Sequence, residues 1–176
     1  EAVLALKGEK PDEYSYETVV ECDIDAYIPV SYIKNEYQKL DIYKRISSIE
    51  NEDEYMDMQD ELIDRFGEIP GPVENLLRVA ALKALAHRAG VTDVFINRQE
   101  VRLVMFKKAE IDVTGIPELI GKYRGDLKLR PGDAPEFLYQ DQRSRNKDCM
   151  KMTEKAKELL TELCSLCERA REGAKR

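Results

Sequence analysis

Cys164 and Cys167 have the only spacing in the sequence that is typical of a metal or redox site. A structural zinc ion needs four ligands at tetrahedral positions. The other cysteines, Cys22 and Cys149, are distant in sequence, and His87 is the sole histidine. Because the Cys164–Cys167 pair also falls in a strongly helical stretch, we expect free thiols that pack as small hydrophobic side chains. We therefore predict no metal site.

The residues needed for catalysis are equally sparse. A catalytic histidine must be paired with a nucleophile and oriented by a third group, and the sequence offers His87 neither. Near a helix C-terminus, His87 instead suits the helix dipole. The nine glycines are scattered, and the glycines at 67 and 71 are not followed by the Lys-Ser/Thr pair that holds phosphate and magnesium. We expect no catalytic residue and no cofactor.

A charged stripe lies on the helix predicted over about residues 54–66. At 100° per residue, three apolar residues fall on one side and should contact the core: Leu62, Ile63 and Phe66. Three charged residues fall on the other side as surface neighbours, with Asp57 extending the stripe: Glu61, Asp64 and Arg65. Two interpretations remain open. The stripe is either a solvated face with an internal Glu61–Arg65 ion pair, or a patch offered to a basic partner.

The elements that position these residues follow a mixed order. Strands are predicted over residues 18–25, 93–96, 101–106, 126–129 and 136–139. Helices are predicted over about 35–49, 54–66, 72–89, 117–123 and 144–172. Asn35 is the expected N-cap of the first helix, and the acidic run 50–54 separates it from the second, which Gly67 ends. We predict an α+β fold, with helices packed on a small, mostly antiparallel sheet and a long C-terminal helix.

The long C-terminal helix carries a heptad seam. Seven residues recur at alternating spacings of three and four: Cys149, Met152, Ala156, Leu159, Leu163, Leu166 and Ala170. The seam either packs on the body of the same domain or forms a coiled coil with a partner or a second copy.

The charge balance is uneven along the 176 residues. The net charge is −7, but residues 1–80 alone carry 8 Lys/Arg against 20 Asp/Glu, and residues 81–176 carry 20 against 15. An acidic half does not follow a phosphate backbone, because such affinity comes from Lys and Arg. It suits a basic protein surface, where opposed potentials set orientation. The first half therefore favours a protein partner over DNA.

Length and composition narrow the class further. Apolar residues make up 43 % of the chain, enough for the core of one domain with or without extensions. No stretch approaches eighteen consecutive apolar residues, and the start has no basic-then-apolar signal, so we expect neither a membrane span nor secretion. The cysteines are then reduced thiols of a cytoplasmic protein. Because the chain begins with Glu1, we expect a fragment of something longer.

Four blocks of sequence, in order, resemble one family. They are Ala-Tyr-Ile-Pro-Val-Ser-Tyr-Ile (26–33), Gln-Lys-Leu-Asp-Ile-Tyr-Lys-Arg-Ile (38–46), Asp-Glu-Leu-Ile-Asp-Arg-Phe-Gly (60–67) with Ile-Pro (69–70), and Pro-Val-Glu-Asn-Leu-Leu (72–77). The chain from about residue 19 to 140 resembles the C-terminal domain of bacterial transcription-repair coupling factor (Mfd). Lys34 stands where the family often has proline, and the tail after about residue 145 matches loosely.

The resemblance implies a division of the chain. Residues 1–16 would be the end of a motor helix and a linker, residues 17–142 the regulatory (TRCF) domain, and residues 143–176 a C-terminal helix that packs on the domain or faces a partner. The family's full-length protein is an ATP-driven DNA translocase that displaces RNA polymerase stalled at lesions and recruits the excision-repair protein UvrA. Polymerase and DNA would bind other domains, and the motor motifs would lie upstream, so this fragment is expected not to be an enzyme.

The resemblance also implies a role for the charged stripe. In the family, the C-terminal domain is held to dock on an N-terminal UvrB-like module of the same chain, which masks UvrA binding and restrains the motor. By motif match, Glu61, Asp64 and Arg65 would make that contact. The alternative is an accessory nucleic-acid-binding module, based on the basic second half with Lys107, Lys108 and the run 143–147.

Overall fold

The computed structural model describes residues 16–142 and 148–174. The described strands are β1 Val19–Cys22, β2 Val91–Ile96, β3 Glu100–Met105, β4 Leu127–Arg130 and β5 Glu136–Gln140. The described helices are α1 Glu36–Ser47, α2 Glu52–Phe66, α3 Gly71–Arg88, α4 Ile116–Lys122 and α5 Cys149–Ala174, with a short 3-10 helix at Val113–Gly115. The α+β class and the long C-terminal helix are confirmed. Of the predicted motor-helix end and linker (residues 1–16), only Tyr16 is among these residues, and the basic run 143–147 lies outside them.

The strands form one mixed sheet in the order β1-β2-β3-β5-β4. β1 pairs with β2 in parallel, and the other three pairings are antiparallel. The sheet is therefore mostly antiparallel, as predicted. The connection from β1 to β2 contains α1, α2 and α3, which is the long crossover that parallel neighbours require. The charged stripe therefore belongs to a helical insertion between two adjacent strands.

One face of the sheet carries the larger hydrophobic core. Alternate residues of the strands pack against α5 and the second half of α3, as period-two side-chain placement requires. Six of the seven heptad positions of α5 are buried in the domain: Cys149, Met152, Ala156, Leu159, Leu163 and Leu166. This burial favours the interpretation in which the seam packs on the domain's own body.

A second core joins α1, α2 and the first half of α3. It contains Ile42 and Ile46 from α1, Met58 and Leu62 from α2, and residues of α3 beginning at Val73. Helix α3 contributes to both cores, because Leu77 and Ala80 belong to this one and Leu82 and Ala86 to the other. The orientation of α2 is thus tied through α3 to the sheet.

The ends of the helices show how the sequence sets them. Asn35 accepts hydrogen bonds from the backbone of Tyr37 and Gln38 at 3.0 and 3.1 Å, which confirms it as the N-cap of α1. Asn51 caps α2 in the same way, accepting from Glu54 N at 2.9 Å. The prediction begins this helix at about residue 54, whereas the structure begins it at Glu52, so residues 52 and 53 of the acidic run belong to α2 and not to the connection. Negative charges in a first turn are stabilised by the helix dipole.

Candidate functional site

Helix α2 is held firmly at its C-terminal end. Gly67 follows it with a φ of +88°, a conformation that favours glycine, so the prediction that Gly67 ends the helix is confirmed. The hydroxyl of Tyr32 donates to the carbonyl oxygens of Leu62 and Gly67, at 3.2 and 3.0 Å. The Tyr32 ring also packs on that of Phe66, with centroids 5.8 Å apart. These contacts fix which side of α2 faces outward.

The buried side of α2 is narrower than the sequence predicts. Leu62 is 0 % exposed and Met58 is 4 % exposed, while Phe66 packs at the margin of the second core. Ile63 is 51 % exposed, so the prediction that it contacts the core is wrong. Ile63 lies 100° around the helix axis from the buried Leu62, so its side chain falls outside the part of α2 that α1 and α3 cover.

Glu61 is engaged inside the domain. Arg45 of α1 donates from both terminal guanidinium nitrogens to the two carboxylate oxygens of Glu61, from Nη2 at 2.6 Å, and Arg65 donates to the same carboxylate at 3.0 Å. The hydrogen bonds from Arg45, aided by those from Arg65, lower the pKa of Glu61 from 4.5 to about 2. The same bonds raise the pKa of Arg45. Glu61 therefore bridges α1 and α2.

Asp64 points to solvent instead. Four aspartates occupy one exposed strip of α2, which we name the aspartate ridge: Asp53, Asp57, Asp60 and Asp64. At 100° per residue they lie within about 60° of one another, on the side away from Met58 and Leu62. None of the four forms an ion pair with another residue in the described part of the chain.

Arg65 has a third environment. Its guanidinium lies over the Phe66 ring at 4.9 Å from the centroid while it donates to Glu61. The three residues predicted as a site thus share one helix but differ in their interactions. Glu61 accepts hydrogen bonds from two arginines, and Arg65 donates to Glu61 and lies over the Phe66 ring. Asp64 forms no ion pair with the described residues. The arrangement presents negative charge outward.

Sequence reasoning missed Arg45 and Tyr32, which hold α2 in place. Arg45 is sixteen residues from Glu61, so no helical spacing links the two. The short connection between α1 and α2 does indicate that the two helices are neighbours, since helices joined by a few residues commonly pack together. Arg45 also falls in the second of the family-like blocks, residues 38–46.

The other candidate residues have structural partners. Cys167 is buried, and its Sγ donates to the Ala89 carbonyl at 3.2 Å; burial raises its pKa to about 11. Cys164 contacts Glu168 rather than a second cysteine. His87 Nδ1 lies 3.3 Å from Thr18 Oγ1 at the end of α3. Within residues 16–142 and 148–174, no three His, Cys, Asp or Glu side chains are placed to hold a metal ion. None of the helices in the same ranges has the length and hydrophobicity of a membrane span.

The residues predicted to bind nucleic acid lie only partly within the described part of the chain. Lys107 and Lys108 are exposed in the turn after β3, and Lys128 and Arg130 are exposed on the edge strand β4. The basic run 143–147, which completed the prediction, lies outside the described residues. A continuous basic surface therefore does not follow from the described part of the chain.

Comparison with known proteins agrees with this architecture. The model of the TRCF domain family matches residues 22–116. The transcription-repair-coupling factor of Bacillus subtilis (strain 168) is 37 % identical over 115 residues, which cover 65 % of this chain and 10 % of that protein. The protein of the same name from Staphylococcus epidermidis (strain ATCC 12228) is 38 % identical over 110 residues, covering 62 % and 9 %.

The fold has a close counterpart among solved structures. A crystal structure of the C-terminal domain of transcription-repair coupling factor superposes with a TM-score of 0.67 at 24 % identity, covering 88 % of this chain and 96 % of that one. The chain spans about a tenth of the length of the curated relatives that it matches. The family match covers more than half of the chain and includes β2, β3 and all of α1, α2 and α3. The chain therefore belongs to the family of TRCF domains, the C-terminal domains of transcription-repair coupling factors.

Proposed function

We propose that this chain is a non-catalytic, autoinhibitory domain of a transcription-repair coupling factor. Its outward face on α2 docks on the UvrB-like module of the same polypeptide, which we call the upstream module. Docking masks the surface that binds UvrA and restrains the translocase. Release of the domain accompanies displacement of RNA polymerase stalled at a DNA lesion and recruitment of excision repair.

The aspartate ridge is the observation that carries this proposal. Its four carboxylates face solvent and have no ion pair in the described part of the chain, so their charge is available to a partner. Asp64, one of the predicted docking residues, belongs to this ridge. A negative surface of this kind steers a basic partner into register and disfavours nucleic acid through repulsion of phosphates.

The proposal is tested by binding of this chain to the upstream module, measured calorimetrically at low and high salt. We expect binding that weakens as salt rises, because exposed charges are screened. The substitution Asp64→Lys should weaken the affinity for the upstream module at least about tenfold, since a positive charge would then face the basic surface. Glu118→Lys, an exposed charge reversal on α4, is the matched control and should bind normally.

The functional consequence is measured in the longer polypeptide. There, Asp64→Lys should raise basal ATPase activity and UvrA binding, while Glu118→Lys should leave both unchanged. If the wild-type chain does not bind the upstream module and Asp64→Lys changes neither ATPase activity nor UvrA binding, the docking function is wrong.

The exposed lysine and arginine side chains favour a second candidate function, an accessory nucleic-acid-binding module. Lys107 and Lys108 in the turn after β3, with Lys128 and Arg130 on β4, form no ion pair with other described residues. Fluorescence anisotropy of labelled DNA and RNA with this chain at low salt tests it directly. Binding that falls steeply with salt and is lost in Lys107→Glu/Lys108→Glu would support this candidate, and its absence would remove it.

A further inference from the structure

We propose that the helical insertion between β1 and β2 opens as a unit of its own while the rest of the domain stays folded. The helical insertion is taken as residues 25–80, and the other described residues form the sheet body. In the open state α1, α2 and the first half of α3 are unfolded, whereas the sheet, α5 and the second half of α3 keep their structure. This inference does not depend on docking, because it concerns only contacts within this chain.

The helical insertion and the sheet body have separate cores. The second core has ten buried residues, all in the insertion, and the larger core has twenty, all in the sheet body. The partly buried apolar side chains divide in the same way, so no described side chain belongs to both cores. The division falls inside α3, between Ala80 and Leu82. Because apolar burial is the main stabilising contribution to a fold, each part supplies most of its own stability.

Polar contacts follow the same boundary. The Asn75 side chain donates to the Asp25 carbonyl at 2.9 Å. The Tyr27 amide donates to the Pro72 carbonyl at 3.2 Å, so the first residues of the insertion are tied to the start of α3. Apart from the backbone bonds of α3 itself, no hydrogen bond or ion pair between described residues joins the insertion to the sheet body. Opening therefore costs the sheet body only the hydrogen bonds of about one turn of α3.

Two clefts separate the parts, on different sides of α3. One of about 540 Å³ is lined by Ile49 from the α1–α2 connection and by Thr18 from the segment before β1. The other, of about 400 Å³, is lined by Tyr55 from α2 and Lys157 from α5. The residues of α3 that line these clefts include three small side chains, Ala80, Ala81 and Ala84. The insertion and the sheet body thus share little apolar contact beside α3.

Helix α3 divides because its two halves are held by different cores. Leu82 and Ala86 are buried in the larger core, so the second half keeps its packing when the insertion opens. The first half is buried only in the second core, through Val73 and Leu77, and short helices are not stable without such packing. Parts of a fold with fewer buried side chains commonly open at a lower free energy than the whole, as contiguous units.

Native-state hydrogen exchange of this chain in low concentrations of urea, followed by NMR, tests the proposal. Amides of α1 and α2 should exchange through one common opening, at least about tenfold faster than those of β3 and α5. Their urea dependence should be smaller, because this opening exposes less surface than global unfolding. Within α3, amides before Ala80 should follow α1 and α2, and amides after Ala84 should follow β3.

Two buried leucines provide a matched pair of variants. Leu62 in α2 and Leu160 in α5 are both 0 % exposed. Leu160→Ala should speed exchange in β3 and α5 about thirtyfold or more but leave α1 and α2 unchanged, because Leu160 stays packed in the open state. Leu62→Ala should speed exchange in all four elements, because every opening then starts from a destabilised closed state. If an alanine variant does not fold, Ile96→Val replaces Leu160→Ala and Ile46→Val replaces Leu62→Ala, with smaller factors of the same pattern.

Two results would overturn the proposal. One is a single opening free energy and a single urea dependence for α1, α2, β3 and α5, with Leu160→Ala speeding exchange equally in all of them. The other is exchange in α1 and α2 at unrelated rates without urea dependence, which would show that the two helices fray separately and do not open as a unit.

Discussion

The bridge between α1 and α2 predicts a specific dependence of stability on pH. Glu61 has its pKa lowered from 4.5 to about 2, chiefly by hydrogen bonds from Arg45. A carboxyl with a lowered folded-state pKa stabilises the fold above its unfolded value, and this contribution is lost as the pH falls. The Arg45–Glu61 contribution should therefore be complete above pH 4.5 and disappear between about pH 4.5 and 2.

The magnitude follows from the same shift. Each tenfold change in an acid dissociation constant corresponds to about 1.4 kcal/mol, so the lowering to about 2 sets an upper limit of about 3 kcal/mol. The two side chains are 43 % and 31 % exposed, and solvent screens such pairs strongly. We therefore expect Arg45→Ala to lower the free energy of unfolding by about 1 kcal/mol at pH 7.

Urea denaturation followed by circular dichroism measures this effect. At pH 7 the midpoint of Arg45→Ala should fall by about 0.5 M, and the difference from wild type should vanish near pH 2. Arg78→Ala, which breaks the half-exposed Arg78–Glu74 pair within α3, is the control and should change stability less, because that pair has a single hydrogen bond and joins residues of one helix. A double-mutant cycle with Glu61→Gln isolates the coupling between the two side chains. Equal midpoints for wild type and Arg45→Ala at pH 7, or a Glu61 pKa near 4.5 by NMR, would refute the bridge.

Three further predictions concern the cores and the thiols. Leu62→Ala should lower the free energy of unfolding by about 2–5 kcal/mol in urea denaturation, because Leu62 is 0 % exposed in the second core. Gly90→Ala should cost about 1–2 kcal/mol in the same assay, since Gly90 has a φ of +75° and a Cβ there would lie 2.8 Å from the Ala109 Cβ. Cys167 should be alkylated far more slowly than Cys164 at pH 8, as followed by mass spectrometry, because it is fully buried and its pKa is raised to about 11; equal rates would contradict its placement.

Local signals in the sequence were sufficient for the elements and many of their ends. Asn35 and Gly67 act as cap and terminator because their effects depend on neighbouring backbone groups alone. The sequence predicts that the acidic run 50–54 separates two helices, because adjacent like charges repel one another and are common in connections. Asn51 and the helix dipole in fact make residues 52–54 a favourable first turn of α2.

Features that depend on packing could not be predicted in this way. Helical periodicity gives the direction of a buried face but not its width, so Ile63 was placed in the core although the arc covered by α1 and α3 stops short of it. The Arg45–Glu61 bridge joins two helices and depends on how both pack on α3. Glu61, Asp64 and Arg65 were correctly placed together on α2, but their different states follow only from that packing.

The central claim is that the ridge on α2 meets the upstream module in the resting polypeptide. A photoactivatable cross-linking side chain at position 64 of the longer protein tests this contact most directly, with the same side chain at position 118 on α4 as control. We predict cross-links from position 64 to basic segments of the upstream module that disappear in high salt, and none from position 118. Cross-links from position 64 that match those from position 118, or that form only within this domain, would contradict the account.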